Sequence, residues 1–343
     1  MKTTKKSIIN AVKTCVAVTI IASTFGISSA MAQQQQVNVS LITAPFGTGS
    51  YVLGSALEEI SKKQHPWLRI SSSESPGFIF NIKKLDKDPE MRVSMIVGSG
   101  AGVAGLAAAG DKPFDKKYEP PLKLIANYSL GAYWLATLNP NIKSVSDLAG
   151  KKVALGRAAQ INWAVQPAAI MNIGYELSKS NVNIQYVGVK EAVDALLDGN
   201  VDAAVVGGYF DPLTKKMELS PQTAEFIASG RKITHLPWGK VAVDKTKATG
   251  MQMANITVPP NAIPGVTQSL EVAADTISWM VSPEFPDNLA YESTKLIINN
   301  IQMFGDYHAL GKLMSTEGLV YGWEVTDIHP GALRAYREAG IIK

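Results

Sequence analysis

Between Val37 and Tyr209 one order of elements occurs twice: strand, polar turn, helix, strand, turn, helix, strand. No other feature restricts the fold as much, because strands alternating with helices give a mostly parallel sheet with right-handed crossovers. The first copy opens with the strand Val37 to Ile42 and the turn Phe46-Gly47-Thr48-Gly49-Ser50. A helix follows with Val52, Leu53, Ala56, Leu57 and Ile60 on one face. A strand near Leu68 to Ser72 leads to Ser75-Pro76-Gly77, a helix holding Ile79, Ile82 and Leu85, the strand Val93 to Val97, and Gly98-Ser99-Gly100. The second copy opens with Lys152 to Gly156 and turns through Arg157-Ala158-Ala159-Gln160. Its first helix runs towards Ile173 and ends at Gly174. The strand Val182 to Val187, the helix Glu191 to Asp198 and the strand Val201 to Val206 complete it, ending at Gly207-Gly208-Tyr209. Pro167 fits either the first turn of its helix or a kink deeper in.

Two such sheets imply two lobes. Ligands bind outside the carboxyl ends of the strands in open α/β sheets, so two sheets placed edge to edge turn two sets of loops to one cleft. Leu122 to Leu138 lies between the copies and reads as strand, Asn127-Tyr128-Ser129 turn, strand, the natural first crossover. Leu270 to Val281 reads as the return. Tyr291 to Phe304 reads as an amphipathic helix, and a short helix surrounds Ala332 to Ala339. The expected division is lobe 1 at 33–129 plus 280–343 and lobe 2 at 130–279.

The first 32 residues read as an export leader. Lys2, Lys5, Lys6 and Lys13 make a basic start, Val12 to Ile27 is mostly apolar, and Ala30-Met31-Ala32 has the small-x-small cleavage pattern. The apolar run is broken by polar residues and is short for a membrane span. Without the leader, the 33 basic residues fall by four and match the 29 acidic ones. A concentrated basic face for nucleic acid is therefore not expected. The single cysteine, Cys15, leaves with the leader, so neither disulfide nor thiol chemistry is expected.

Several constellations carry possible chemistry. Thr48, Gly49, Ser50 and Tyr51 stand at a helix start, where backbone N–H groups favour a carboxylate or phosphate. The alternative is a tight turn with a helix cap. Ser75 and Gly77 occupy the equivalent place after the second strand, and Ser99 the place after the third. Arg157 follows a core strand at the mouth of lobe 2, and a guanidinium fork matches a carboxylate. Gln160, Asn162 and Trp163 add amides and a flat ring. Alternatively Arg157 is a surface cation paired with a nearby acid. Tyr128 and Tyr133 flank the crossover, and Tyr209, Phe210 and Asp211 end the third strand of lobe 2. They suit either a pocket wall or the core.

Gly100-Ala101-Gly102-Val103-Ala104-Gly105 fits the dinucleotide fingerprint. It follows the third strand rather than the first, and Ile125-Ala126-Asn127 offers no acid for a ribose, so close helix packing accounts for it better. Ser229-Gly230-Arg231-Lys232 fits S-x-x-K without its companion motifs. His65, His235, His308 and His329 are scattered, with none paired at helical metal spacing. Neither catalysis, a metal nor a cofactor is expected.

These residues resemble the TAXI-type solute receptors of TRAP transporters through nearly the whole exported chain. Thr43 to Gly54 is similar to the family's first glycine-rich ligand loop, and Ser75-Pro76-Gly77 with Asn81 to its second. Ile142 to Val153, containing Ser144, Asp147-Leu148 and Gly150-Lys151, looks like the family's opening of lobe 2. Ala192 to Ala203, with Asp198-Gly199 and Asp202-Ala203, and His329-Pro330-Gly331-Ala332 with Tyr336-Arg337-Glu338 and Gly340 look like its later motifs. The resemblance implies an α/β fold of the periplasmic binding protein type II kind, two doubly wound lobes joined by crossover strands. It also implies a periplasmic monomer that binds a small carboxylate-bearing solute and serves an integral-membrane TRAP permease. The chain departs from the family where a Gly-Ser-Gly-Thr type loop usually stands. Here the residues are Arg157 to Trp163, which implies a carboxylate on Arg157 with Trp163 packed on the rest. A secreted Rossmann-like oxidoreductase, a Ser hydrolase and a sensor for a signalling partner are the rival readings.

Overall fold

The computed structural model describes residues 35–343, so the leader and Cys15 lie outside the described residues. Among these, eleven strands form one curled sheet. They are β1 (Val37–Ile42), β2 (Leu68–Ser73), β3 (Met95–Ser99), β4 (Lys123–Thr137), β5 (Lys152–Leu155), β6 (Asn183–Tyr186), β7 (Ala203–Phe210), β8 (Met217–Leu219), β9 (Thr234–Leu236), β10 (Ala254–Val258) and β11 (Leu270–Val281). The main path is β2-β1-β3-β11-β4-β7-β5-β6. Both halves have the same plan. The second, first and third strands of each copy lie side by side in parallel, and a long antiparallel strand closes the row. That long strand is β11 in the first half and β4 in the second, and the two pair with each other along their length.

Burial follows position. β3 and β7 are buried at every residue, as expected of strands covered on both faces. One cluster of buried side chains, including Leu53, Ile82, Trp279 and Phe304, serves the first half. Another, including Trp134, Leu155, Phe226 and Trp238, serves the second.

Three helices of the first half begin at the carboxyl ends of its strands: α1 (Gly49–Gln64), α2 (Phe78–Lys87) and α3 (Ala101–Ala109). Thr48 caps α1, its hydroxyl accepting from the Tyr51 N–H, while Lys62 and Lys63 lie in the last turn, where the helix dipole favours cations.

Residues 161–174 are helical but not uniformly α. Pro167 lies near the start of the α turn Gln166–Ala169, with π-type turns Ile161–Val165 and Ile170–Gly174 on either side. Proline has no N–H to give the Trp163 carbonyl. The Gly156 N–H takes its place at 2.7 Å, tying the helix to the end of β5.

Two expectations need correction. β4 is one continuous strand, with no turn at Asn127-Tyr128-Ser129. Its register against β11 slips between Ile277 and Ser278, which leaves Tyr128 as the extra residue of a β-bulge. The Asn127 amide is committed to tertiary bonds, with Gly318 O at 3.1 Å and Ser278 Oγ at 3.3 Å, instead of closing a local turn. The third strand begins at Met95 because Val93 ends the 3-10 turn Pro89–Val93.

Candidate functional site

The strand-end loops of both halves meet around one cavity. Its space open to the centres of water molecules is about 40 Å³. From the first half come Thr48, Ser50, Gly77 and Phe78, and from the second Gln160, Asn162, Trp163 and Tyr209. The crossovers contribute Gly131, Tyr133 and Ile277. No charged side chain of the described residues lines it.

The halves touch across this space. The Gly49 N–H, first in α1, donates to the Tyr209 hydroxyl at 2.6 Å. A Cβ on Gly49 would enter the Tyr209 ring, 2.6 Å from Cε1. Gly77, at φ +140°, lets its loop approach the Ala159 carbonyl, which a Cβ would meet at 2.6 Å.

Several expected residues are occupied in holding the frame. The Thr48 hydroxyl donates to Pro45 O at 2.8 Å and accepts from Tyr51 N at 3.4 Å, so its proton is committed to the frame. Tyr128 donates to Ser50 Oγ at 2.9 Å from behind the wall. Gln160 Oε1 accepts from the Arg157 N–H at 2.7 Å, and Asn162 Nδ2 lies 3.4 Å from Gly131 O. The Trp163 ring lies over Gly207, where a Cβ would come within 3.1 Å of it.

Other expected residues are not brought to the cavity. Tyr51 packs against Phe46, with centroids 5.1 Å apart. Ser75 donates to Thr43 O at 3.1 Å and accepts from Gly77 N at 3.2 Å, holding its own turn. Ser99 is buried in β3 opposite Ser278. Tyr128 and Asp211 line a separate hollow behind the crossover. The Asp211 carboxylate there caps its loop, accepting from Leu213 N at 2.9 Å and from the Thr214 hydroxyl.

Arg157 is the principal correction. Its side chain is 61 % exposed and faces Glu191 at 3.6 Å. The loop closes through its backbone N–H onto Gln160, which sends the guanidinium outward. An exposed pair of this kind contributes about 0–1 kcal/mol. Phe78, Gly131 and Ile277 were not anticipated. The available signal was the two-residue period of a strand, which puts Gly131 on the face of Tyr133.

Tyr133 and Tyr209 are neutral donors at ordinary pH. Burial pushes the Tyr209 phenol up to about 12 against the helix N–H, and also raises Tyr133, with a contribution from Asp275.

Asp275, at the middle of β11, joins the halves beside the cavity. Its carboxyl accepts from the Gly102 N–H at 3.1 and 3.0 Å, from Thr276 N at 2.8 Å and from Gln166 Nε2 at 3.1 Å. This contact accounts for the middle glycine of the fingerprint. A Cβ on Gly102 would collide with Asp275 and lie 2.9 Å from Gln252 O. Burial pushes Asp275 up to about 7 despite these bonds. Tyr133 is the titratable neighbour, while α3, β10 and residues 161–174 carry no charged side chain. The native state therefore holds the proton more tightly than the unfolded chain. The stability this gives is full below about pH 4 and is lost as pH rises to about 7. Stability relative to Asp275→Asn should fall across that window and level off above it, and the Asp275 carboxyl carbon should titrate near 7 by NMR. A flat difference from pH 4 to 8 would refute this.

Solved structures of low identity superpose on this chain to differing degrees. MatC of Rhodopseudomonas palustris, solved with bound malate, superposes with a TM-score of 0.51 at 12% identity, over 90% of this chain and 99% of that one. A TctC solute binding protein from Polaromonas gives 0.46 at 14%, over 90% and 96%. The periplasmic aliphatic sulphonate binding protein SsuA of Escherichia coli gives 0.41 at 16%, over 81% of each chain. This likeness shows an α/β fold with a curled sheet, shared with MatC. Residues 41–340 match the NMT1-like family over most of the chain, and the chain belongs to that family.

Proposed function

We propose that this protein is the extracytoplasmic solute receptor of a TRAP-type secondary transporter of the TAXI kind. It captures a small carboxylate-bearing solute by closing two lobes, 33–129 plus 280–343 and 130–279. The observation that carries this reading is one cavity walled by strand-end loops of both half-sheets, with the crossovers as its floor. Thr48, Gly49, Ser50, Gly77, Gln160, Asn162, Trp163 and Tyr209 are assigned to the site from the original expectation, and Tyr133 joins them. The bulge at Tyr128 marks a weak point in the ladder where the crossover strands bend. The leader-bearing chain is exported to the periplasm, works as a monomer and hands its solute to an integral-membrane permease. No bond is made or broken in this cycle.

Small-angle scattering tests closure. The radius of gyration should be near 19 Å, the value for a compact chain of about 310 residues, with solute bound. It should be larger after the solute is removed by partial unfolding and refolding. Equal values in both states would rule out capture by closure.

A further inference from the structure

The direction of the hydrogen bonds in the cavity narrows its ligand. An N–H only donates, so the Gly49 bond makes the Tyr209 oxygen an acceptor and leaves the phenol proton free. Ser50 Oγ likewise accepts from Tyr128 and keeps its own proton. Tyr133 is 0 % exposed, lines the cavity, and its hydroxyl has no partner. Gln160 has given its oxygen to Arg157 N, which leaves its NH₂. The lining therefore presents protons from several directions, beside the first turn of α1, and no carboxylate to receive any.

From this we infer that the cavity takes a compact monocarboxylate without an ammonium group, held by neutral hydroxyl and amide protons, with Tyr133 as a specificity-determining donor. The inference rests on the proposed receptor function and narrows its ligand. A carboxylate offers up to four acceptor sites and gains charge-assisted bonds from such donors, and a helix N-terminus adds to them. An α-ammonium would be buried with no anionic partner, which is strongly unfavourable. Size agrees: about 40 Å³ of centre space corresponds to roughly three water positions, or a short acid. Phe78, Trp163 and Ile277 supply apolar contact for its carbons.

Isothermal titration with isosteric sets tests this at two lengths: lactate, alanine and lactamide, then 2-hydroxyvalerate, norvaline and 2-hydroxyvaleramide. The hydroxy acid of at least one set should bind tenfold or more tighter than its amino acid and its amide. Tyr133→Phe keeps the ring and should cost that acid about tenfold or more, while the thermal midpoint stays close to the parent's. An amino acid or amide that binds as tightly as the acid overturns the ligand class and leaves the receptor function standing. So does full acid affinity in Tyr133→Phe, or a solute of another class retained on natively purified protein when all six probes fail. If all six fail, no solute is retained and scattering shows one radius of gyration in every condition, both the class and the receptor function fall.

Discussion

Gly49→Ala is expected to weaken solute binding by about 5- to 150-fold while shifting the thermal midpoint by no more than about 1 °C. The added methyl enters the Tyr209 ring, which supplies its three nearest atoms. Tyr209 belongs to the opposite half of the sheet and is 3 % exposed, so the ring has little room to turn. Overpacking of this kind costs about 1–3 kcal/mol. On the proposed closure, the cost falls on the closed arrangement alone, because opening the cleft removes the clash. Alanine suits the first position of a helix. Affinity is lowered by the whole penalty, since a ligand can shift the open and closed populations only by its differential affinity for them. Calorimetry with the natively retained solute measures the loss. Tyr209→Ala in the same background should restore closure while removing one donor. Unchanged affinity in Gly49→Ala would mean that the observed contact is not part of the bound state.

How much of this was readable from residues alone differs from layer to layer. The duplicated order of elements gave both half-sheets and the long return strand Leu270 to Val281, because apolar run length, glycine turns and helical spacing are local signals. The loops holding Thr48, Ser50, Gly77, Gln160 and Trp163 were findable by rule, since strand order fixes which ends face the cleft. Side-chain direction was not. Arg157 follows the correct strand, yet the bond from its own N–H to Gln160 and the nearby Glu191 turn it outward. Asp211 ends the correct strand and then folds back onto Leu213 and Thr214. Polar residues choose partners brought near by tertiary structure, and spacing along the chain does not list those partners. Asn127 misled for the same reason: its amide reads as a turn former until Gly318, 191 residues away, claims it. Asp275 went unremarked in an apolar strand, because the Gly102 N–H and the Gln166 amide that hold it lie 173 and 109 residues distant.

Trp279→Ala tests the other end of the same machinery, the packing beneath the bend. The expected loss is about 3–5 kcal/mol of folding stability, read as a fall of about 5–10 °C in the thermal midpoint. Trp279 is 0 % exposed on β11, where the register slips on both sides of it. Its ring lies 4.5 Å from that of Tyr128 and 5.8 Å from that of Phe304, centroid to centroid. Truncation leaves a ring-sized void under the bulged residue, and strands on both sides fix the backbone against collapse into it. Trp279→Phe should cost less than about 1.5 kcal/mol, because the indole N–H has no partner and phenylalanine keeps most of the ring contact. If Ala and Phe cost the same, packing is not what the indole provides there. The pattern expected of Gly49→Ala is the reverse, with binding lost and folding kept. Trp279 supports Tyr128, which donates to Ser50, so some loss of affinity should also appear in Trp279→Ala. That loss should track the bond to Ser50 and be matched by Tyr128→Phe, in which the ring stays in place and the donor alone is removed.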